Sequence, residues 1–335
     1  VVTGVQTCAL PIWSDGGQIV PPHDKGIIEE VRQVSTSITR ISKQEAIDKH
    51  LLNYIDEEID DTYVRIIKNH ALRPELLKEK GKELTVVYTP LHGTGTMLME
   101  RFFQEMGVRV ITVPEQREPD GEFPTVEYPN PEETSAMKMA LELGKSEDAD
   151  LILGTDPDAD RMGIGVRDGD DFRLLNGNQI GSLLADYVFS TLSEKGELPE
   201  KPVLVKTIVT TELQTLIAED YGAAVYDTLT GFKYIAEKIR EFESTGEQYI
   251  FGGEESYGYL VGTEVRDKDA IGAAAMTAEM ALYRRSGVSR KTGSERSSPS
   301  SRAASSAWTS PTSTRRPTGP SPRPRPSSTR WACPR

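Results

Sequence analysis

At 335 residues, with a formal charge of −13 and a pI near 5.0, the chain is longer than one hydrophobic core organises and predicts two or three domains. The acidic surplus excludes a nucleic-acid binder, which needs a basic face to neutralise phosphates, and no run of about 18 apolar residues is present to span a bilayer. Only Cys8 and Cys333 occur, one near each end, so neither a disulfide framework nor a Cys-based metal site holds the body, as expected in a reducing cytoplasm.

In chain order, residues 1–13 (VVTGVQTCALPIW) lack the basic start and long apolar stretch of a secretion signal. They read as translated adapter or vector sequence, with an N-terminal strand that has lost its context as the alternative. Residues 53–78 predict helices that open a first α/β module. ELTVVYTPL is an apolar, β-branched strand, LHGTGT a glycine-rich turn, MLMERFFQEMG a helix and VRVITVPE a strand, which together make a βαβ unit. ADLILGT is the next strand and ends in a charged loop, and NQIGSLLADYVFSTLSEKG is a helix closed by Gly196. After a linker at 196–201 the alternation restarts with strand PVLVKTIV, helix TELQTLIAEDYG behind a Thr cap, strand AAVYDTLT, helix GFKYIAEKIREFEST and strand QYIFGG.

A last helical segment, AIGAAAMTAEMALYRR, runs directly into residues 286–335, which hold ten Lys/Arg, one acid (Glu295) and no Leu, Ile, Phe or Met. Such a tail cannot build a core. A frameshift product is favoured over a native disordered basic arm, because the helix stops without a capping signal. The expected fold is α/β, with tandem three-layer α/β/α modules, mixed sheets and a disordered C-terminal tail.

The chemistry concentrates in GTDPDADR, residues 154–161. Asp156, Asp158 and Asp160 alternate in a loop that follows a buried strand, so their carboxylates project to one side at a sheet end where α/β folds bind ligands. Three hard oxygens suit Mg²⁺ with a phosphate among its ligands; the bland alternative is an exposed acidic turn. A calcium EF-hand fails, because the sixth and twelfth positions counted from Asp156 are Arg161 and Arg167. A dinucleotide fingerprint fails as well: after Gly93 and Gly95 the third glycine position is Leu98.

DPDADR resembles the metal-binding loop of the α-D-phosphohexomutase family, the phosphoglucomutases and phosphomannomutases, and other segments fall in that family's order. SDGGQIVPPHDKGI resembles the end of its first domain, TPLHGTG and PDGEFPTVEYPNPE parts of its second, and TGFK, GGEESYG and VRDKDA parts of its third. GFK and GEESYG stand in the form of the bacterial phosphoglucomutase branch. The resemblance divides the chain into a first-domain remnant at 14–48, a metal-binding second domain at 49–196 and a sugar-recognising third domain at 197–285.

The resemblance implies an enzyme that moves a phosphoryl group between hexose 1-phosphate and hexose 6-phosphate through a phosphoserine and a hexose 1,6-bisphosphate, which is both intermediate and activator. Mg²⁺ would sit on Asp156, Asp158 and Asp160, with Arg161 supporting the phosphoserine. Glu254 and Ser256 would read vicinal sugar hydroxyls, and Lys268 matches the lysine proposed to move the hydroxyl proton. Gly231, Lys233, Arg266 and His92 are further candidates for substrate contact, although a lone histidine is more often structural. The family's Thr-Ala-Ser-His-Asn-Pro serine loop and the phosphate clamp of its fourth domain have no counterpart here, so the chain as written is expected to be inactive alone. The alternatives are a sugar-phosphate binding module and a metal-dependent phosphatase. Partners are small hexose phosphates, with neither nucleic acid nor membrane.

Overall fold

The computed structural model describes residues 12–35 and 40–286. The expectations for residues 1–11 and for the basic tail from 287 onward lie outside the described residues. Ile12 and Trp13 do take part in structure: Ile12 bridges Gln18, the Trp13 amide donates to Gly17 O at 2.8 Å, and the Arg240 guanidinium lies over the Trp13 ring. Residues 14–48 carry helices α1 (His23–Gln33) and α2 (Lys43–Asp48), neither of which buries a residue.

The first module begins with α3 (Asp56–His70) and α4 (Pro74–Lys80). Strand β1 (Thr85–Thr89), helix α5 (Thr96–Glu105) and strand β2 (Arg109–Thr112) form the expected parallel βαβ unit, and β3 (Leu151–Thr155) joins β1 on its other side, also in parallel. β4 (Met162–Asp168) and β5 (Asp171–Leu175) then add antiparallel strands, giving a mixed sheet in the order β2–β1–β3–β4–β5. Alternation along the strands feeds two cores. Val86, Tyr88, Leu151 and Leu153 face the side of α5, whereas Val87 and Ile152 face Met137 and Ala140 of α6 (Thr134–Ser146).

The second module opens with α7 (Gly177–Lys195), whose Asn176 and Gln179 make a reciprocal capping box. Its mixed sheet runs β7–β6–β8–β9, from β6 (Pro202–Thr207), β7 (Ala224–Thr228), β8 (Gln248–Gly253) and β9 (Tyr259–Val261). α8 (Glu212–Asp220) starts at the anticipated Thr211 cap. α9 (Phe232–Thr245) lays Phe232, Ile235, Ile239 and Phe242 on Val203, Val205 and Leu260, while Leu204 and Phe251 face the opposite core with Ile217 of α8.

Two helices exchange allegiance relative to the sequence reading. α7, expected to close the first module before a break at 196, packs on α8 and β8 of the second sheet. α10 (Ala270–Arg285) touches β9 but also α3, α4, α5, α7, β3 and β4. Both bury nearly their whole circumference, which only a helix between two layers can do. At this seam the carboxylate of Glu279 is fully buried and accepts from the Tyr187 hydroxyl at 2.8 Å and the amides of Leu72 and Arg73 at 3.1 and 2.9 Å. Among the described residues no helix is long and apolar enough to cross a membrane.

Candidate active site

Strand β3 is buried along its whole length and delivers Asp156 at its carboxyl end. The turn is closed by a main-chain bond from Ala159 N to Asp156 O (3.0 Å), with Ala159 in the left-handed region at φ 58°. Oδ1 of Asp156 accepts from the amides of Asp160 (3.0 Å) and Arg161 (2.9 Å). One oxygen from each of Asp156, Asp158 and Asp160 lies within 4.8 Å of the others. An octahedral Mg²⁺ shell is about 4.2 Å across, so three hard carboxylate donors stand near ligand spacing and fit that ion.

The TPLHGTG segment cradles this loop. Thr94 donates to the Pro157 carbonyl from its amide (2.8 Å) and its hydroxyl (3.1 Å). Gly93 permits the approach, since a Cβ there would stand 2.3 Å from Pro157 Cα, and one at Gly95 would stand 2.5 Å from the Tyr88 hydroxyl. Tyr88 in turn bonds Thr155 at 2.8 Å beneath the aspartates. His92, proposed from the sequence as a substrate contact, is buried at φ 62° with its ring nitrogen 2.8 Å from Thr125 Oγ1. Its amide and carbonyl bond Gln116 and Asp120, so it folds the 92–125 loop.

Electrostatically the loop gathers three carboxylates at a partly buried strand end. Burial, reinforced by Asp160 and Asp158, pushes the Asp156 carboxyl up to about 7, and burial raises Asp160 too despite an opposing lysine. Arg161 makes only long ion pairs, at 3.7 Å from Asp156, 3.9 Å from Asp160 and 3.8 Å from Glu132.

The GGEESYG turn joins β8 to β9, closed by Glu254 N to Gly258 O at 2.9 Å. Glu254 is buried, which raises its carboxyl, and its Oε1 accepts the Gly231 amide at 2.8 Å. Gly231 has φ 122°, a conformation only glycine adopts without strain. The two sequence motifs TGFK and GEESYG therefore meet. Ser256 beside Glu254 is half-buried. Lys233, by contrast, pairs with Asp24 of α1 at 2.9 Å.

The two loops are joined by main chain. Arg161 and Gly258 form an antiparallel bridge, Met162 N donates to Tyr257 O at 3.0 Å, and Ala270 N donates to Ala159 O at 3.2 Å. Lys268 enters at this junction, with Nζ 2.8 Å from Asp160 and 3.0 Å from Asp267. Gly258 makes room for it, because a Cβ there would lie 2.2 Å from Lys268 Cδ. Burial alone would lower the lysine, but Asp267 and Asp160 outweigh it and hold the ammonium above its ordinary range. Asp267, missed in the sequence reading, was signalled only by its place in the D-K-D triplet. Arg266 binds Asp15 at 3.3 Å and Glu243 of α9, and so ties the segment around Asp15 to the second module.

Fold and site together define a two-module α/β protein with three carboxylates that could hold a cation at a module seam, beside the GGEESYG turn. Residues 61–169 match the family profile for phosphoglucomutase/phosphomannomutase alpha/beta/alpha domain II, and residues 176–297 match domain III. The division at 169–176 agrees with the packing of α7. The chain is 31% identical to human phosphopentomutase over 278 residues, covering 81% of this chain and 45% of that one. To the Staphylococcus saprophyticus phosphoglucomutase it is 35% identical over 261 residues, covering 76% and 46%. A solved phosphoglucomutase/phosphomannomutase family protein from Burkholderia thailandensis shares the fold with a TM-score of 0.51 at 20% identity, over 67% of this chain and 44% of the other. The chain belongs to the α-D-phosphohexomutase family. It spans slightly less than half the length of these relatives.

Proposed function

We propose that these residues are the cation-binding and sugar-reading part of a phospho-sugar mutase that interconverts hexose 1-phosphate and hexose 6-phosphate through a phosphoserine and a hexose 1,6-bisphosphate. The observation that carries this reading is the main-chain seam, which sets Asp156, Asp158 and Asp160 beside Glu254, Ser256 and Lys268. Mg²⁺ held by the three aspartates, when bound, supplies charge neutralisation at the transferred phosphoryl group.

The chain's own groups do the rest. Glu254 keeps Oε1 on the Gly231 amide and offers Oε2 as acceptor to a sugar hydroxyl, with Ser256 as the adjacent hydroxyl partner. Arg161 faces the phosphoryl oxygens. Lys268, held as an ammonium, donates its proton to the leaving oxygen, and in the reverse direction the amine takes a proton from the attacking hydroxyl. Gly231 and Lys233 flank the start of α9, where helix N–H groups favour the second phosphate. The phosphoryl-carrying serine pattern Thr-Ala-Ser-His-Asn-Pro does not occur in the 335 residues, so on this reading they bind without turning over by themselves, and the serine acts from elsewhere in the working enzyme.

Calorimetric titration of the chain with Mn²⁺ and with glucose 1-phosphate tests this. Both are expected to bind, with Asp158→Asn abolishing the first and Glu254→Gln weakening the second. A coupled assay on a polypeptide joining these residues to a serine segment should show turnover. Failure of both ligands to bind refutes the proposal.

A further inference from the structure

Behind the sugar-reading turn lies a polar cluster that the reaction does not use. Glu255, between Glu254 and Ser256, sends its carboxylate toward the end of β6. There Thr207 Oγ1 donates to Glu255 Oε2 at 3.0 Å, and Thr210 Oγ1 lies 3.4 Å from the same oxygen and 2.8 Å from Thr207 Oγ1. Thr207 is fully buried and Thr210 nearly so. A hydroxyl has one proton to give. With that of Thr207 on the carboxylate, the shorter of the two contacts to Oε2, its oxygen is free to accept the proton of Thr210, and the two hydroxyls and the carboxylate form one connected cluster.

The clamp is itself braced. Lys206, with no exposed surface, places Nζ 2.7 Å from Asp227, 3.1 Å from Glu212 and 3.4 Å from the Thr210 carbonyl, which pins the 206–210 segment. On its main-chain side the Glu255 carbonyl presses on Gly177 at the start of α7, where a Cβ would stand 1.8 Å from that oxygen. Glu255 is thus held through both side chain and backbone. Its neighbour Glu254 is held toward Gly231 on the other side of the turn.

We infer that Thr207 and Thr210 are positioning residues for the sugar-reading turn and act through Glu255. The inference rests on the reading of Glu254 and Ser256 given above. Taking the hydroxyl donor from a half-buried carboxylate costs about what one hydrogen bond contributes, so loss of Thr207 loosens the turn and weakens sugar binding about tenfold.

The test compares Thr207→Val, Thr207→Ser, Thr210→Val and Glu255→Gln in the full chain. Glucose 1-phosphate and Mn²⁺ affinities are measured by calorimetry, and amide exchange is followed over residues 252–258, with β1 as the internal reference. Thr207→Val should weaken glucose 1-phosphate by about tenfold, leave Mn²⁺ binding unchanged and speed exchange in 252–258 alone. Thr207→Ser, which keeps the hydroxyl, should match the unaltered chain, and Thr210→Val and Glu255→Gln should fall between. If the unaltered chain binds no hexose phosphate, the functional reading falls, and the exchange data still decide whether the clamp holds the turn. If the chain binds and Thr207→Val changes neither affinity nor exchange, or exchange without affinity, the inference is overturned. It is overturned equally if Thr207→Ser behaves like Thr207→Val.

Discussion

The phenolic hydroxyl of Tyr63 donates to Oδ1 of Asp269 at 2.6 Å, across 206 positions of sequence. Asp269 caps α10, accepting the amides of Ile271 and Gly272 at 3.0 and 2.9 Å, and it directly follows Lys268. One side chain of α3 therefore braces the residue from which the lysine is presented. Burial and the neighbouring carboxylate hold the Tyr63 phenol far above its ordinary range, so it stays a donor at every working pH. Tyr63→Phe is expected to cost about 1–3 kcal/mol of stability, the magnitude of an unmade buried hydrogen bond. Urea denaturation measures it, and a midpoint equal to the unaltered protein's would contradict the assignment.

Asp158 is the exposed member of the aspartate trio. Its removal should leave the metal-free fold intact while removing a ligand. A ligand present at 100 times its Kd stabilises by about 2.7 kcal/mol, and Asp158→Asn should lose that Mn²⁺-dependent gain with an unchanged metal-free unfolding midpoint. Retention of the gain would show that the cation binds elsewhere.

The Asp156 carboxyl is raised from its ordinary 3.8 to about 7, chiefly by burial. Between these limits the folded metal-free protein keeps a proton that the unfolded chain has released, so its stability falls as pH rises through that window. Cation binding expels the proton. Mn²⁺ affinity should therefore tighten by up to about tenfold per pH unit below 7 and level off above it, as read by electron paramagnetic resonance at a series of pH values. A flat profile would mean that Asp156 is already ionised.

Gly93 and Gly121 make a matched pair. A Cβ at Gly93 meets Pro157 Cα at 2.3 Å, whereas one at Gly121 meets nothing within 4 Å. Gly93→Ala should displace the aspartate loop, costing about 1–3 kcal/mol of stability and weakening Mn²⁺ binding, while Gly121→Ala changes neither. Equal behaviour of the two variants in thermal unfolding and Mn²⁺ titration would remove the role given to TPLHGTG.

Where apolar alternation was strong, the sequence could be read directly: β1, α5, β2 and β3 follow from it, as does the Thr211 cap of α8. β4 was hidden because glycines at 163 and 165 stand where Pro131 and Ile152 press on the strand, leaving no side-chain alternation to see. α6 escaped because its buried face is made of Ala136, Met137, Ala140 and Gly144, a stripe of small residues with a weak apolar signal. The allegiance of α7 could not be read from its own residues, since a helix apolar all round has two faces to choose between. At the site the aspartates and Glu254 were legible as motifs. The charged state of Lys268 was not, because it depends on Asp160, which lies 108 positions away and becomes its neighbour only once both modules are packed.

The bridge between Arg161 and Gly258 consists of peptide groups. The gap between the aspartate loop and the GGEESYG turn is consequently a dimension of the scaffold, set by main chain rather than by the side chains at 254 and 256. On the proposed reading, side chains at 254 and 256 can be exchanged to suit a differently shaped sugar without recalibrating the distance to the phosphoryl group, whereas one residue inserted between 156 and 162 throws the whole gauge out.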